Sequence, residues 1–150
     1  MRYASLLLGL LLALVACQPP TEPDPKSIDV TLTLSANSVF AWIVDDVEGD
    51  ETVTQTGVDN PVWTLKVGSR YEIINTTGAA HPFELLDEDG AKLLSQDIAG
   101  SLENDPDIGY EEEADYSSVR FTFTQKLADA ARSYYCSLHP SMEGDIVSAD

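Results

Sequence analysis

Cysteine, histidine and methionine are scarce in this chain, with two of each among 150 residues. Positive charge is also thin: eight Lys and Arg face 26 Asp and Glu, for a formal net charge of −18. Nucleic acid is excluded as a partner, because a phosphate backbone would be repelled. Two cysteines cannot build a disulfide framework. Two histidines cannot furnish the separate imidazole clusters of a polynuclear metalloenzyme, so an enzyme of that kind is not expected. There is no apolar run of the roughly 20 residues that a comfortable membrane span needs. At this length one folded domain is the expectation.

The one long apolar stretch lies at the N-terminus, in MRYASLLLGLLLALVAC, where a single arginine, Arg2, precedes an apolar run through Val15. That is the layout of a secretory signal, without the paired arginines of the twin-arginine route. Leu14-Val15-Ala16-Cys17 resembles a bacterial lipobox, in which Cys17 is acylated and becomes the first mature residue. Residues 1–16 are therefore read as a lipoprotein signal peptide. Residues 17–27 are read as the lipidated cysteine and a proline-rich, extended spacer, and residues 28–150 as the folded domain. The protein is expected to be exported and lipid-anchored, at the outer face of the cell membrane or in the periplasm. Lipidation of Cys17 leaves Cys136 without a disulfide partner in the chain. A lone thiol in an oxidising compartment is exposed to oxidation unless something occupies it.

From Ile28 the sequence alternates, with Ile28, Val30, Leu32 and Leu34 on one face and Asp29, Thr31 and Thr33 on the other, the signature of a half-buried strand. Further strands are expected over 39–44, 62–67, 71–75, 83–86, 119–124, 133–136 and 145–148. Val-Gly-Ser, Thr-Thr-Gly and Glu-Asp-Gly mark turns between them. One short helical segment is expected over 125–132, and between Ser95 and Ser118 a long acidic surface loop with room for a short helical or strand piece. The fold class is all-β, an antiparallel two-sheet β-sandwich with one short helix.

Chemistry concentrates in Tyr134-Tyr135-Cys136-Ser137-Leu138-His139-Pro140-Ser141-Met142, which sets a thiolate, an imidazole and a thioether at three-residue intervals. Soft sulfur suits Cu(I), imidazole and thiolate suit Cu(II), and a plane of two His and one Cys with a weak axial Met serves both states. The loop offers Cys136, His139 and Met142. His81 is the only remaining histidine and completes the set. Structural zinc usually takes more thiolates or a full Cys₂His₂ set, so copper is the better match.

With these residues the sequence resembles the cupredoxins, the blue copper proteins, and in particular plastocyanin, amicyanin and halocyanin. His81 follows the segment Tyr71 to Asn75 and a Thr-Thr-Gly turn, and the Cys-x-x-His-x-x-Met loop precedes the last strand. The resemblance spans about Ile28 to the end and is specific at the loop and around His81. It implies a Greek-key sandwich and one type 1 copper ion that cycles between Cu(I) and Cu(II). It also implies a monomeric single-electron carrier whose partner is a c-type cytochrome, an oxidase or another electron-transfer complex. Asn75, Pro82 and Leu138 are the candidates to support the ligands. Many family members carry Asn after the first histidine, donating an N–H to the cysteine sulfur. Pro82 has no N–H to give. Leu138 stands where plastocyanin and amicyanin carry proline, and it retains an N–H. The family further implies an electron exit at the His139 ring edge, within an apolar patch drawn from Ala79, Ala80, Pro82, Leu138 and Pro140. Tyr135 with Glu111, Glu112, Glu113 and Asp115 is a candidate for partner docking. The competing expectation is an extracytoplasmic copper chaperone or storage protein that delivers copper to an oxidase.

Overall fold

The computed structural model describes residues 27–149; the signal segment, Cys17 and the spacer up to residue 26 lie outside the described residues. Ten strands and one helix run in the order β1 (Val30–Asn37), β2 (Ala41–Glu48), β3 (Trp63–Lys66), β4 (Arg70–Asn75), β5 (Phe83–Leu86), β6 (Lys92–Ser95), β7 (Glu111–Glu112), β8 (Ser118–Thr122), α1 (Gln125–Ala130), β9 (Ser133–Cys136) and β10 (Glu143–Ala149). They form two five-stranded sheets, ordered β2-β1-β4-β8-β7 and β3-β10-β9-β5-β6. This is the expected all-β sandwich with one short helix. No described helix is long and apolar enough to cross a membrane.

Side-chain alternation builds the core. Val30, Leu32 and Leu34 of β1 point inward and pack with Ile73 of β4 and Val119 and Phe121 of β8. Opposite them stand Trp63, Leu65, Phe83, Leu85 and Tyr134. The helix begins at Thr124, whose hydroxyl accepts the Leu127 N–H. At its far end the Arg132 guanidinium donates to the Asp129 and Ala131 carbonyls, which the helix itself leaves unpaired.

The sheets differ from a purely antiparallel sandwich in two places: β4 runs parallel to β1, and β10 runs parallel to β3. The cause is connectivity. The chain leaves the first sheet after β2, forms β3 in the second, and returns to enter β4 from the same end as β1, as a parallel pair requires. The tops of β1 and β4 therefore coincide, and the Thr76 N–H and hydroxyl both donate to the Leu34 carbonyl there (3.0 and 2.7 Å).

The acidic stretch between Ser95 and Ser118 is, as expected, largely loop with one short strand piece, β7, and it is pinned to the sandwich. Ile108 is fully buried, and the Arg70 guanidinium reaches in to donate to the Ile108 and Gly109 carbonyls. Glu103 accepts the N–H groups of Ser95 and Gly100, closing the start of the segment. β6 was not expected from the sequence, and it pairs with β5 through Glu84↔Ser95 and Leu85↔Leu94.

Tyr134 fixes the second sheet below the site. Its ring stacks on Trp63 (centroids 4.0 Å apart, 13° between planes), and its hydroxyl donates to the Pro61 carbonyl at 2.6 Å. Across the ladder its partner is Gly144, where an added Cβ would fall 2.2–2.5 Å from the Tyr134 ring and hydroxyl. Gly144→Ala therefore has to displace a fully buried ring from a close-packed stack. It is expected to destabilise the domain by about 1–3 kcal/mol, read as a lowered melting temperature.

Candidate metal centre

Residues 81 and 136 meet because β5 and β9 are neighbours. Phe83 pairs with Cys136, and just beyond the ladder the Ser137 N–H donates to the Pro82 carbonyl at 3.2 Å. His81, two residues upstream of Phe83, thus arrives over the cysteine. It caps a single 3-10 turn, Gly78–Ala80, with its N–H on the Gly78 carbonyl.

The three-residue spacing of the second loop becomes two successive turns. The His139 N–H donates to the Cys136 carbonyl (3.2 Å) and the Met142 N–H to the His139 carbonyl (2.9 Å). The Cys136 N–H closes the loop onto the Met142 carbonyl (3.0 Å). Each turn carries the next side chain back over the same end of the sandwich. Cys136 and Met142 are fully buried, His81 is nearly so, and His139 is half-buried.

The ligand atoms converge. Cys136 Sγ lies 3.6 Å from His81 Nδ1 and 3.5 Å from His139 Nδ1, and the two imidazole rings sit 4.6 Å apart. All three donor atoms fall within 4.8 Å of one another. A cation bound at about 2.3 Å from sulfur and about 2.0 Å from nitrogen, at near-tetrahedral angles, sets those atoms roughly 3.5 Å apart. The spacing therefore fits one metal ion between one thiolate and two imidazoles. A thiol has a single proton and cannot donate to both rings at once.

Burial sets the electrostatics. It pushes the Cys136 thiol above its ordinary pKa, while backbone N–H groups of Leu138 and His139 directed at the sulfur pull the other way. Burial, and secondarily the neighbouring His139, depress the His81 pKa, which favours the neutral, ligating imidazole. A metal entering the site therefore meets a ready imidazole and has to displace a thiol proton.

The supporting residues are partly those anticipated. Asn75 is buried, and its Nδ2 donates to the His81 carbonyl at 2.8 Å, while its Oδ1 accepts the Thr77 N–H and hydroxyl. Pro82 is buried and Leu138 is 55 % exposed at the rim. Ala79, Ala80 and Pro140 are exposed beside them. Three contributors carry no sequence motif and were missed. Trp42 packs edge-on against the His81 ring (6.0 Å, 66°). Asn60, a turn residue with φ 46° in an Asn-Pro pair, accepts the Trp42 N–H and donates to the Ser141 carbonyl, tying the ligand loop to β2. Gln96, the third, accepts the Phe83 N–H at 3.0 Å. Asn60-Pro61 is a dipeptide that could have marked a turn, but nothing in it encodes the reach to the ligand loop.

Tyr135 and the acidic triplet lie apart. Tyr135 is half-buried on the outer side of the second sheet between Glu143 and Glu84; burial, and secondarily these two carboxylates, raise its pKa. Glu111 and Glu112 form β7 at the edge of the other sheet, with Glu113 next along the chain. Glu111 pairs with Arg70, Glu112 accepts from the Tyr110 hydroxyl, and Glu113 pairs with Arg120.

No family model and no curated protein matches this sequence. What the geometry establishes is a two-sheet sandwich with a His/Cys/His cluster able to hold a metal ion. Because Trp42 touches His81, adding Cu(II) is expected to quench the tryptophan emission at one equivalent, and Cys136→Ser is expected to weaken that titration. Emission unchanged at saturating Cu(II) would contradict metal entry at this site.

Proposed function

We propose that the protein is a single-electron carrier of the cupredoxin type, in which His81, Cys136 and His139 would hold one copper ion and the Met142 thioether would serve as a further soft donor. The observation that carries it is the convergence of two imidazole nitrogens on one buried sulfur at 3.5–3.6 Å. Bound there, copper would supply a reversible Cu(I)/Cu(II) couple. Met142 adds a soft donor from the same loop, fully buried and bonded through its backbone to Cys136 and His139.

The protein's own contribution is to keep the donors where they are. Backbone hydrogen bonds fix Cys136, His139 and Met142 to one another, and strand pairing fixes them to His81. Ligands held this way change position little between oxidation states, which lowers the reorganisation that electron transfer has to overcome. A storage or delivery module would instead profit from an open, easily exchanged site, and the burial of Cys136 and Met142 favours the carrier. The chain's two histidines leave none for a catalytic second metal, which supports a carrier over an enzyme.

We assign docking to the half-buried His139 and the apolar surface beside it. Leu138 is 55 % exposed, and the β1–β2 turn adds Phe40 at 65 %; Val39 of that turn accepts the Ser141 hydroxyl, which places it against the ligand loop. Glu111, Glu112 and Glu113 already face Arg70, Tyr110 and Arg120, so they offer a partner less free charge than the sequence suggests. The overall negative charge favours a basic redox partner, such as a c-type cytochrome or an oxidase domain. Export and a lipid anchor at Cys17 would place that exchange outside the cytoplasm, at a membrane surface.

Titration with Cu(II) tests the proposal. An intense visible thiolate-to-Cu(II) charge-transfer band with a reversible potential is expected, and a colourless, rapidly exchanging Cu(I) site would point to copper delivery instead. Leu138→Pro removes an N–H directed at the thiolate and is expected to lower the reduction potential, because the sulfur would carry more negative charge beside Cu(I) than beside Cu(II), so the donor's dipole stabilises the reduced state more. An unchanged potential in voltammetry would contradict that role for Leu138.

A further inference from the structure

We infer that Gln96 is a positioning residue for His81, acting with Asn75 as a clamp of two side-chain amides on the segment that carries the ligand. The inference rests on the metal-site assignment above and extends it to a residue outside the ligand set.

The segment His81-Pro82-Phe83 has to turn out of the 3-10 turn and into β5, and Pro82 gives it no N–H with which to anchor itself. Its remaining polar groups are all taken. The His81 N–H donates to the Gly78 carbonyl, and the Pro82 carbonyl accepts from Ser137. The His81 carbonyl accepts from Asn75 Nδ2 at 2.8 Å, and the Phe83 N–H donates to Gln96 Oε1 at 3.0 Å. The two amides also meet each other, Asn75 Nδ2 to Gln96 Oε1 at 3.3 Å.

Gln96 has a double hold on β5, since its own backbone N–H donates to the Phe83 carbonyl at 3.0 Å. Its far end, Nε2, donates to the Ser118 carbonyl on β8 at 3.5 Å, and Asn75 stands on β4. Both β4 and β8 belong to the opposite sheet. The clamp thus bridges the two sheets directly behind His81, with Asn75 2 % and Gln96 5 % exposed, so water does not compete for these bonds. If the Oε1 acceptor is lost, the Phe83 N–H is left unpaired, Asn75 Nδ2 keeps only the His81 and Gly78 carbonyls (2.8 and 3.4 Å), and the backbone at His81 is free to shift. His139 is held from the other loop and keeps its place.

The test compares wild type with Gln96→Met, which keeps the volume and loses the amide, and with Gln96→Glu, which keeps an Oε1 acceptor. Asn75→Asp, which loses the donor to the His81 carbonyl, is the second route should Gln96→Met fail to fold. Copper affinity is measured by chelator competition, and the histidine ring signals of the metal-free protein by NMR. Gln96→Met and Asn75→Asp are expected to weaken copper binding about tenfold or more and to shift the His81 ring signals while leaving those of His139 in place. Gln96→Glu is expected to hold copper affinity close to wild type. Variants that melt at lower temperature yet bind copper with wild-type affinity and show unmoved His81 signals would overturn the inference. A wild-type protein that binds no copper would sink the metal assignment instead, and the metal-free His81 signals would still decide whether the clamp exists.

Discussion

A few backbone hydrogen bonds hold the imidazole of residue 81 over the sulfur of residue 136: the Phe83↔Cys136 pairing of β5 with β9, and beside it the Ser137 N–H on the Pro82 carbonyl. The two side chains are 55 positions apart in sequence. Without that register the metal centre has no second half. A one-residue slip would send Cys136 to the outer face of the sheet and swap it with Tyr135. The surrounding structure guards the register from below, where Tyr134 stacks on Trp63 and lies across Gly144. From the side, Asn60 ties the ligand loop to Trp42.

The arrangement is one of preorganisation. Each of Cys136, His139 and Met142 is hydrogen-bonded through its backbone to another of the three, so the loop is closed on itself. His81 comes from a different pair of strands and is restrained by amides that reach across the sandwich. One thiolate and two imidazoles, fixed by the fold, form a donor set able to hold a metal ion, and it is this fixity that the proposed copper couple would use. Among the described residues six carboxylates, those of Glu72, Glu84, Asp97, Asp105, Glu111 and Glu113, are paired with Arg70, Lys92, Arg120 and Lys126.

Much of this was legible from the sequence, for identifiable physical reasons. Period-two alternation marks β1, because Val30, Leu32 and Leu34 must face one way. Compact apolar runs mark β5 and β9, whose bounds Phe83–Leu86 and Ser133–Cys136 are as expected. The Cys-x-x-His-x-x-Met spacing is local and therefore readable. β6 was not readable, since Lys92–Ser95 is short and carries two adjacent leucines rather than an alternation. The parallel pairing of β1 with β4 depends on where the chain crosses between sheets, which no local pattern encodes. Gln96 and Asn60 were invisible for a similar reason: a buried amide acquires its role from the partners that the fold brings to it. The segment from Ser95 to Ser118 reads as loop because of its charge and is largely loop; its buried residues Gln96, Gly100 and Ile108 and the buried cation Arg70 pin it to the sandwich, which its charge does not disclose.

X-ray absorption at the copper edge of the copper-loaded protein tests the central claim most directly, because it reports the atoms around the ion itself. One short copper–sulfur distance together with two imidazole nitrogens is the expected result. A shell of nitrogen and oxygen alone, with no sulfur bound, would contradict the account.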